Sequence, residues 1–288
     1  MSDRFKLIRK PNNDPMNHIT VHECGGVVCL TFPILEQLPG IVHGFSTRLG
    51  GVSQGDVGTM NLSFSRESSR QNVEENYRRL AKAIGYEPER LVCSRQTHTT
   101  NVRVVTEEDC GIGFCRSGDY DNIDGLVTNV PGIPLMTFYA DCVPLLLADP
   151  VHRAIGCAHS GWRGTAANMG KAALEVMKRE YGTEAKDVIT AIGPSICQDC
   201  YEVSEDVIDQ FREVYHRKIW PDLFYEKQNG KFQLNLWEAC RQNFLMAGVL
   251  PEHISLPDLC TCCNPKFLFS HRASRGNRGN LVAVVMLR

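Results

Sequence analysis

Three short stretches of the chain place metal-ligand chemistry where apolar segments give way to small or polar residues. His98 closes "RLVCSRQTH", Cys142 follows Asp141 in "FYADCVPLLLADP", and His159 ends "AIGCAH" just ahead of "SGWRGT". Two imidazoles and a thiolate form a donor set suited to Zn²⁺. Three protein ligands leave the fourth tetrahedral position for water or substrate, the pattern of a catalytic site, since a structural site would be closed by a fourth ligand. A metal held so lowers the pKa of its water and supplies hydroxide at neutral pH. Taken singly, each residue has an ordinary reading, because free cysteine is commonly a small core residue and a lone histidine is usually satisfied or exposed. No local metal spacing links the three, so they meet only if strand ends converge on one rim of a sheet.

Neighbouring residues add polar chemistry. If a helix begins near Thr165, Arg163, Gly164 and the free N–H groups of its first turn make an anion site beside His159. "FSTRLGGVSQG" (45–55) offers a Gly-rich loop whose Arg48 could clamp a phosphate or carboxylate, or be a solvated loop arginine. A rival metal site is weaker. Cys197 and Cys200 in "CQDC" with Cys260, Cys262 and Cys263 in "CTCC" could supply four thiolates, but C-x-C-C is not a usual partner for C-x-x-C. His18 and His22 in "HITVH" share one strand face and read as solvated surface.

The elements that must position these residues are mixed. "GIVHGFST" (40–47), "RLVCSRQTH" (90–98), "NVRVVT" (101–106), "IDGLVT" (123–128), "LVAVVMLR" (281–288), "FYADCVPLLLADP" (138–150) and the "AIGCAH" segment read as strands. Residues 72–85 carry Val73, Tyr77, Leu80 and Ile84 on one face, predicting an amphipathic helix stopped by Gly85. Residues 165–182 predict another, with Thr165 as N-cap and Gly182 as stop. Residues 204–215 and 235–248 complete the helices. Residues 1–15 read as a flexible tail. No Pro-, Ser- or Gly-rich linker divides the rest, so 16–288 is expected to form a single α/β domain, a layered sandwich with a mixed sheet core.

Composition excludes several classes. With 43% hydrophobic residues the chain can bury a sizeable core, and 31 basic against 33 acidic residues leave no basic footprint for nucleic acid. No apolar stretch reaches membrane length, and no apolar segment follows the charged start, so a cytoplasmic location with no membrane contact is expected. In that setting the 13 cysteines read as thiols, metal ligands or nucleophiles. Walker, dinucleotide, H-E-x-x-H, G-x-S-x-G and zinc-deaminase signatures are missing, as is any His-X-His pair of the kind that builds multicopper centres.

Together, "HGFSTRLGGVS", "QTH", "DGLVTNVPGIPLMTFYADCVPLLLADP", "AIGCAHSGWRGT" and "AIGPSICQDCYEV" resemble the YfiH/LACC1 family over roughly residues 40–288. The resemblance implies an α/β sandwich of the type shared with a bacterial CNF cytotoxin, and zinc held by His98, Cys142 and His159. Copper would be an adventitious occupant. It implies phosphorolysis of adenosine, guanosine, inosine or 5′-methylthioadenosine, with deamination of adenosine, so purine nucleosides and phosphate are the expected partners. An alternative is hydrolysis of the amide in a mis-charged UDP-N-acetylmuramoyl-serine precursor, and copper-dependent polyphenol oxidation ranks below both. In the phosphorylase reading Arg48 and Arg163 hold phosphate, while Asp141 acts as proton shuttle or orienter unless it only caps its strand. Asn61 and Gln96 either bind ribose or base or secure backbone. Cys260 and Arg272 stand at family-like positions near the pocket, whereas Cys197, Cys262 and Cys263 read as extras of this sequence.

Overall fold

The computed structural model describes residues 2–11 and 14–288. Among these, two six-stranded mixed sheets lie face to face between helical layers. The first runs in the order β1 (Thr20–Cys24), β2 (Val27–Thr31), β3 (Ile41–Ser46), β15 (Leu281–Leu287), β7 (Leu135–Tyr139), β4 (Val92–Cys93). The second runs β14 (Ile254–Ser255), β10 (Ile189–Ile192), β8 (Val143–Asp149), β9 (Ala154–Ser160), β6 (Gly125–Thr128), β5 (Val102–Val104). A small three-stranded sheet, β11 (Glu202–Val203), β13 (Phe232–Leu234) and β12 (Phe224–Glu226), stands apart.

Side-chain alternation explains why the central strands read as continuous apolar runs. In β15, Leu281, Ala283, Val285 and Leu287 enter the layer between the sheets, while Val282, Val284 and Met286 face the outside of the first sheet. In β8, Leu146 and Ala148 point between the sheets, whereas Val143, Leu145 and Leu147 meet the helices on the far side. Each fully buried Val, Leu or Ile contributes roughly 1.5–3 kcal/mol. A slip of one residue would only exchange two buried faces, so register here rests on volume matching more than on polarity.

The helix Arg70–Ile84 covers the outer face of the first sheet with Val73, Tyr77 and Leu80. Ser69 Oγ accepts from Asn72 N–H at 3.3 Å at its start, and Gly85 at φ 93 ends it. Met169–Tyr181, Glu205–Val214 and Leu236–Met246 cover the outer face of the second sheet through Met177, Phe211 and Phe244.

Three features depart from the sequence reading. The stretch 138–150 is not one strand. β7 ends at Tyr139 in the first sheet, and β8 starts at Val143 in the second. Asp141, at φ 90, makes the crossing between them. The helix expected from Thr165 is two helices, Trp162–Ala166 and Met169–Tyr181, broken where Asn168 takes φ 60 and caps the second one by accepting from Lys171 N–H at 3.1 Å. Thr165 is buried within the first and bonds Ser160 Oγ at 2.8 Å, so it caps nothing. The N-terminal segment expected to be a flexible tail is docked over residues 8–10. Ile8 N–H donates to Asn264 Oδ1 at 2.8 Å, Arg9 pairs with buried Asp258, and Lys10 N–H donates to Asp258 O at 2.7 Å. Residues 1, 12 and 13 lie outside the described residues. No described helix is long and apolar enough to cross a membrane.

One buried group ties fold stability to pH. Phe32 N–H donates to Nε2 of His43 at 3.0 Å, which requires the neutral ring. Burial pulls the imidazole from 6.5 down to about 4, against the pull of the Glu36 carboxylate. As pH falls through that window the unfolded chain takes up the proton first, so stability falls with it. The expected loss is on the order of 1–3 kcal/mol, read as a declining urea midpoint. His43→Gln keeps an acceptor for Phe32 and should flatten this part of the profile; a variant with the wild-type slope contradicts the assignment.

Candidate metal centre and its clefts

The ligand atoms of His98, Cys142 and His159 lie within 4.8 Å of one another. Cys142 Sγ is 3.9 Å from His98 Nε2, and the two imidazoles meet edge-on with centroids 5.0 Å apart. Three different elements deliver them. His159 is the penultimate residue of β9 and shares the inter-sheet face of Ile155 and Cys157, its ring 5.7 Å from that of Tyr139. Cys142 sits at the crossing from β7 to β8, and exposed His98 lies in the loop between β4 and β5 at φ 66.

Asp124, which the sequence reading did not single out, joins these elements. Its carboxylate is fully buried. Oδ1 accepts from His159 Nδ1 at 2.8 Å and from His98 N–H at 3.0 Å, while Oδ2 accepts from the N–H groups of Thr97 and Thr99, both at 3.0 Å. Burial opposes its charge, yet the bonds from His159, Thr97 and Thr99 outweigh that and hold the carboxyl at about 2. With Nδ1 engaged, His159 has Nε2 free to act as a ligand atom.

The electrostatics favour a cation among the three ligands. Burial would raise the Cys142 thiol, but the adjacent His159 and His98 bring it down to about 6. Burial would lower His159, but the Cys142 thiolate and Asp124 lift it to about 9. At neutral pH this pair is a thiolate beside an imidazolium, and a borderline-soft divalent ion would displace the imidazolium proton to complete the His₂Cys donor set. Gly161 leaves the room, since a Cβ there would stand 2.8 Å from His98 Cδ2 and 3.3 Å from Cys142 Sγ.

Two clefts meet at this cluster. The larger, about 360 Å³, opens onto all three ligands and is walled by Phe64 and Phe138, with Arg66 and Arg278 on its basic side. Burial, with Arg66 nearby, lowers Arg278 to about 10, so it remains a cation at neutral pH. Its Nε is buried without a hydrogen-bond partner. The smaller cleft, about 100 Å³, lies against His98 and Cys142 and is lined by Trp162, Arg163 and Tyr201.

The remaining sequence candidates divide. Arg163 reaches the small cleft and lies over its own Trp162 ring at 4.3 Å. Gln96 lines the large cleft, but its amide is committed to backbone, donating to Phe138 O at 2.8 Å and accepting from Phe138 N–H at 2.6 Å. Asn61 is wholly buried and accepts from the N–H groups of Ser63 and Asn280, two residues of the large cleft's wall, without itself lining the cleft. Arg48 is not a phosphate clamp. Its guanidinium donates to Gly58 O at 3.0 and 2.8 Å and to Pro265 O at 2.7 Å, and it stacks on Phe269. Asp141 lines the small cleft beside His98 and Cys142, where its carboxylate accepts from Thr261 Oγ1 at 2.6 Å and from Arg272 N–H at 2.7 Å. Arg272 itself holds Cys200 O and Glu202 O, so it positions a loop and does not line the large cleft.

A candidate His₂Cys metal centre at the rim of a four-layer αββα sandwich is the class that fold and site define. The chain belongs to the family described as multi-copper polyphenol oxidoreductase laccase, which matches residues 42–288. The purine nucleoside phosphorylase YlmD of Geobacillus stearothermophilus is 34% identical over 250 residues, covering 85% of this chain and 90% of its own. A protein named adenosine deaminase RL5, from an unknown prokaryotic organism, is 33% identical over 201 residues, 69% of this chain and 76% of its own. The crystal structure of Bacillus licheniformis hypothetical protein YfiH superposes with a TM-score of 0.86 at 29% identity, covering 93% of this chain and 99% of that one.

The role given to Asp124 is directly measurable. Asp124→Asn should weaken divalent-metal affinity at the rim about 10–100-fold, the usual effect of removing a ligand's hydrogen-bond partner, and should lower the unfolding temperature as well. Competition against a chromogenic chelator reads the affinity; a folded variant that binds as tightly as wild type contradicts the role.

Proposed function

We propose that the protein is a zinc-dependent purine nucleoside phosphorylase acting on adenosine, inosine, guanosine and 5′-methylthioadenosine, and that it also deaminates adenosine to inosine. The observation that carries this reading is the juxtaposition, within one cleft, of His98, Cys142 and His159 with the cations Arg66 and Arg278. The names of the phosphorylase and deaminase relatives point the same way.

Phosphorolysis breaks the bond between C1′ and the purine nitrogen, with the electron pair leaving on the base, and forms a bond from C1′ to a phosphate oxygen. The cleft must therefore seat a phosphate anion beside the ribose and relieve charge on the departing purine. Arg66 and Arg278, both in the lining of the cleft, meet the first demand by charge-assisted hydrogen bonding. At the other end, His98, Cys142 and His159 Nε2 would hold Zn²⁺, which supplies Lewis acidity toward the purine or a water. Asp124 keeps the proton on His159 Nδ1 and fixes the ring, while Asp141 and Gly161 hold Cys142 and His98 at their spacing. A purine lying with its six-membered ring toward the ligands and its ribose toward the arginines serves both reactions. Deamination exchanges the C6 amine for a water oxygen with release of ammonia and needs no phosphate.

The two activities should therefore separate at the basic side of the cleft. Adenosine incubated with phosphate should give adenine and ribose-1-phosphate, with inosine forming whether or not phosphate is present, and His98→Ala should abolish all of it. Arg278→Ala should raise the phosphate KM about tenfold or more and leave inosine formation within about threefold. Chromatography of the products decides. A folded, metal-loaded chain that turns over no nucleoside overturns the reading and directs attention to the UDP-N-acetylmuramoyl-serine amide.

A further inference from the structure

Far from the strand ends that carry the rim cluster in sequence, two loop segments bring four further cysteines together. Cys197, Cys200, Cys260 and Cys263 place their Sγ atoms within 4.8 Å of one another. Cys263 Sγ is 3.5 Å from Cys200 Sγ and 3.9 Å from Cys197 Sγ. Four thiolates around one zinc at about 2.3 Å would be separated by about 3.8 Å in a regular tetrahedron. The observed separations bracket that value, and they are far longer than the roughly 2.05 Å of a disulfide.

The local backbone fits metal binding. "CTCC" contains C-x-x-C between Cys260 and Cys263, and Cys262 is not a member of the cluster. The chain thus offers two C-x-x-C turns facing each other. Cys200 closes a single 3₁₀ turn over Gln198–Cys200, and a parallel bridge between Ser195 and Cys260 sets the two segments side by side. Cys197 N–H and Cys263 N–H both point at Cys260 Sγ, at 3.2 and 3.4 Å. Two amide donors on one sulfur suit a thiolate, not a thiol. Lys10, held by Asp199 at 2.7 Å, lies close enough to Cys197 and Cys263 for their charge to favour its own. A cation therefore stands beside what would be a dianionic complex. Cys197 and Cys260 are buried and the other two are partly so. With four sulfurs and no open position, the site is of the closed, structural kind.

We propose that Cys197, Cys200, Cys260 and Cys263 bind a structural Zn²⁺ that clamps two loops against Asp141, beside the rim cluster. The clamped loops hold Asp141 from three sides. Ile196 N–H donates to its carbonyl at 3.0 Å and Thr261 Oγ1 to its carboxylate at 2.6 Å, while Arg272 links that carboxylate to Cys200 O. Asp141 immediately precedes Cys142. Binding releases the thiol protons, brings no change of oxidation state, and adds its free energy to folding. The zinc touches no substrate, so this inference stands apart from the nucleoside reading.

The test leaves the four cysteines intact. A His98→Ala/His159→Ala chain, purified under reducing conditions, should retain about one zinc per molecule, with X-ray absorption giving an all-sulfur shell near 2.3 Å. Wild type should carry about two. In the converse arm, Cys263→Ser in the wild-type background should lower the count from two to one. The proposal is overturned if the folded rim variant holds no zinc, if its zinc has nitrogen or oxygen neighbours, or if mass spectrometry finds the four cysteines in disulfides. It is equally overturned if folded Cys263→Ser keeps two zinc ions; should that variant not fold, the rim variant decides alone.

Discussion

The buried carboxylate of Asp124 is the constraint on which the site depends. A fully buried charge is tolerated only when its lone pairs are occupied. Here the donors are one imidazole, three successive backbone N–H groups from Thr97 to Thr99, and the Thr99 hydroxyl. One residue at the head of β6 thereby fixes the tautomer of His159 and the path of the loop that presents His98. Asn122 and the Phe138 backbone hold the flanks of the loop through Thr97, Thr99 and Gln96, and His98 takes a backbone conformation that a free chain would rarely adopt.

The layers supply the rigidity that this carboxylate exploits. β8 and β9 pair from Val143–Ser160 to Asp149–Ala154, with apolar packing on both faces. Cys142 and His159 therefore stand at the same end of the same hairpin. The crossing at Asp141 moves the chain from one sheet to the other, so Cys142 emerges where the inter-sheet layer opens to solvent. Core packing of this density leaves few alternative positions for strand ends, which suits a centre whose ligand atoms must hold a fixed geometry.

What the sequence made legible follows from the kind of signal each residue leaves. His98, Cys142 and His159 interrupt apolar runs, and the motifs around them are distinctive. The α/β sandwich and the helix 70–84 announced themselves through periodicity and through Gly85. Asp124 left no such mark, because an aspartate before a strand looks like any turn residue, and its partners are distant in sequence. Arg48 misled for the opposite reason. A Gly-rich loop with an arginine has the composition of an anion site, but its carbonyl partners, Gly58 and Pro265, arrive only on folding. Arg66 and Arg278, which line the large cleft, left no sequence signal because each sits in an ordinary polar loop. Asp141 drew attention through its neighbour Cys142, and only the structure shows the chain crossing it makes between the sheets.

The two cysteine-rich turns raise the same point about packing. Their separation in sequence hides a pairing that the bridge between Ser195 and Cys260 makes evident. They lie beside Asp141, which accepts from Ile196 N–H and Thr261 Oγ1. The central claim remains that the rim cluster carries turnover, and a metal titration tests it most directly. Zinc would be returned stepwise to the metal-depleted, folded chain while occupancy of the His98–Cys142–His159 centre and phosphate-dependent release of purine base are followed together. Base release rising in proportion to rim occupancy is the predicted result; full release while the rim centre is empty would contradict it.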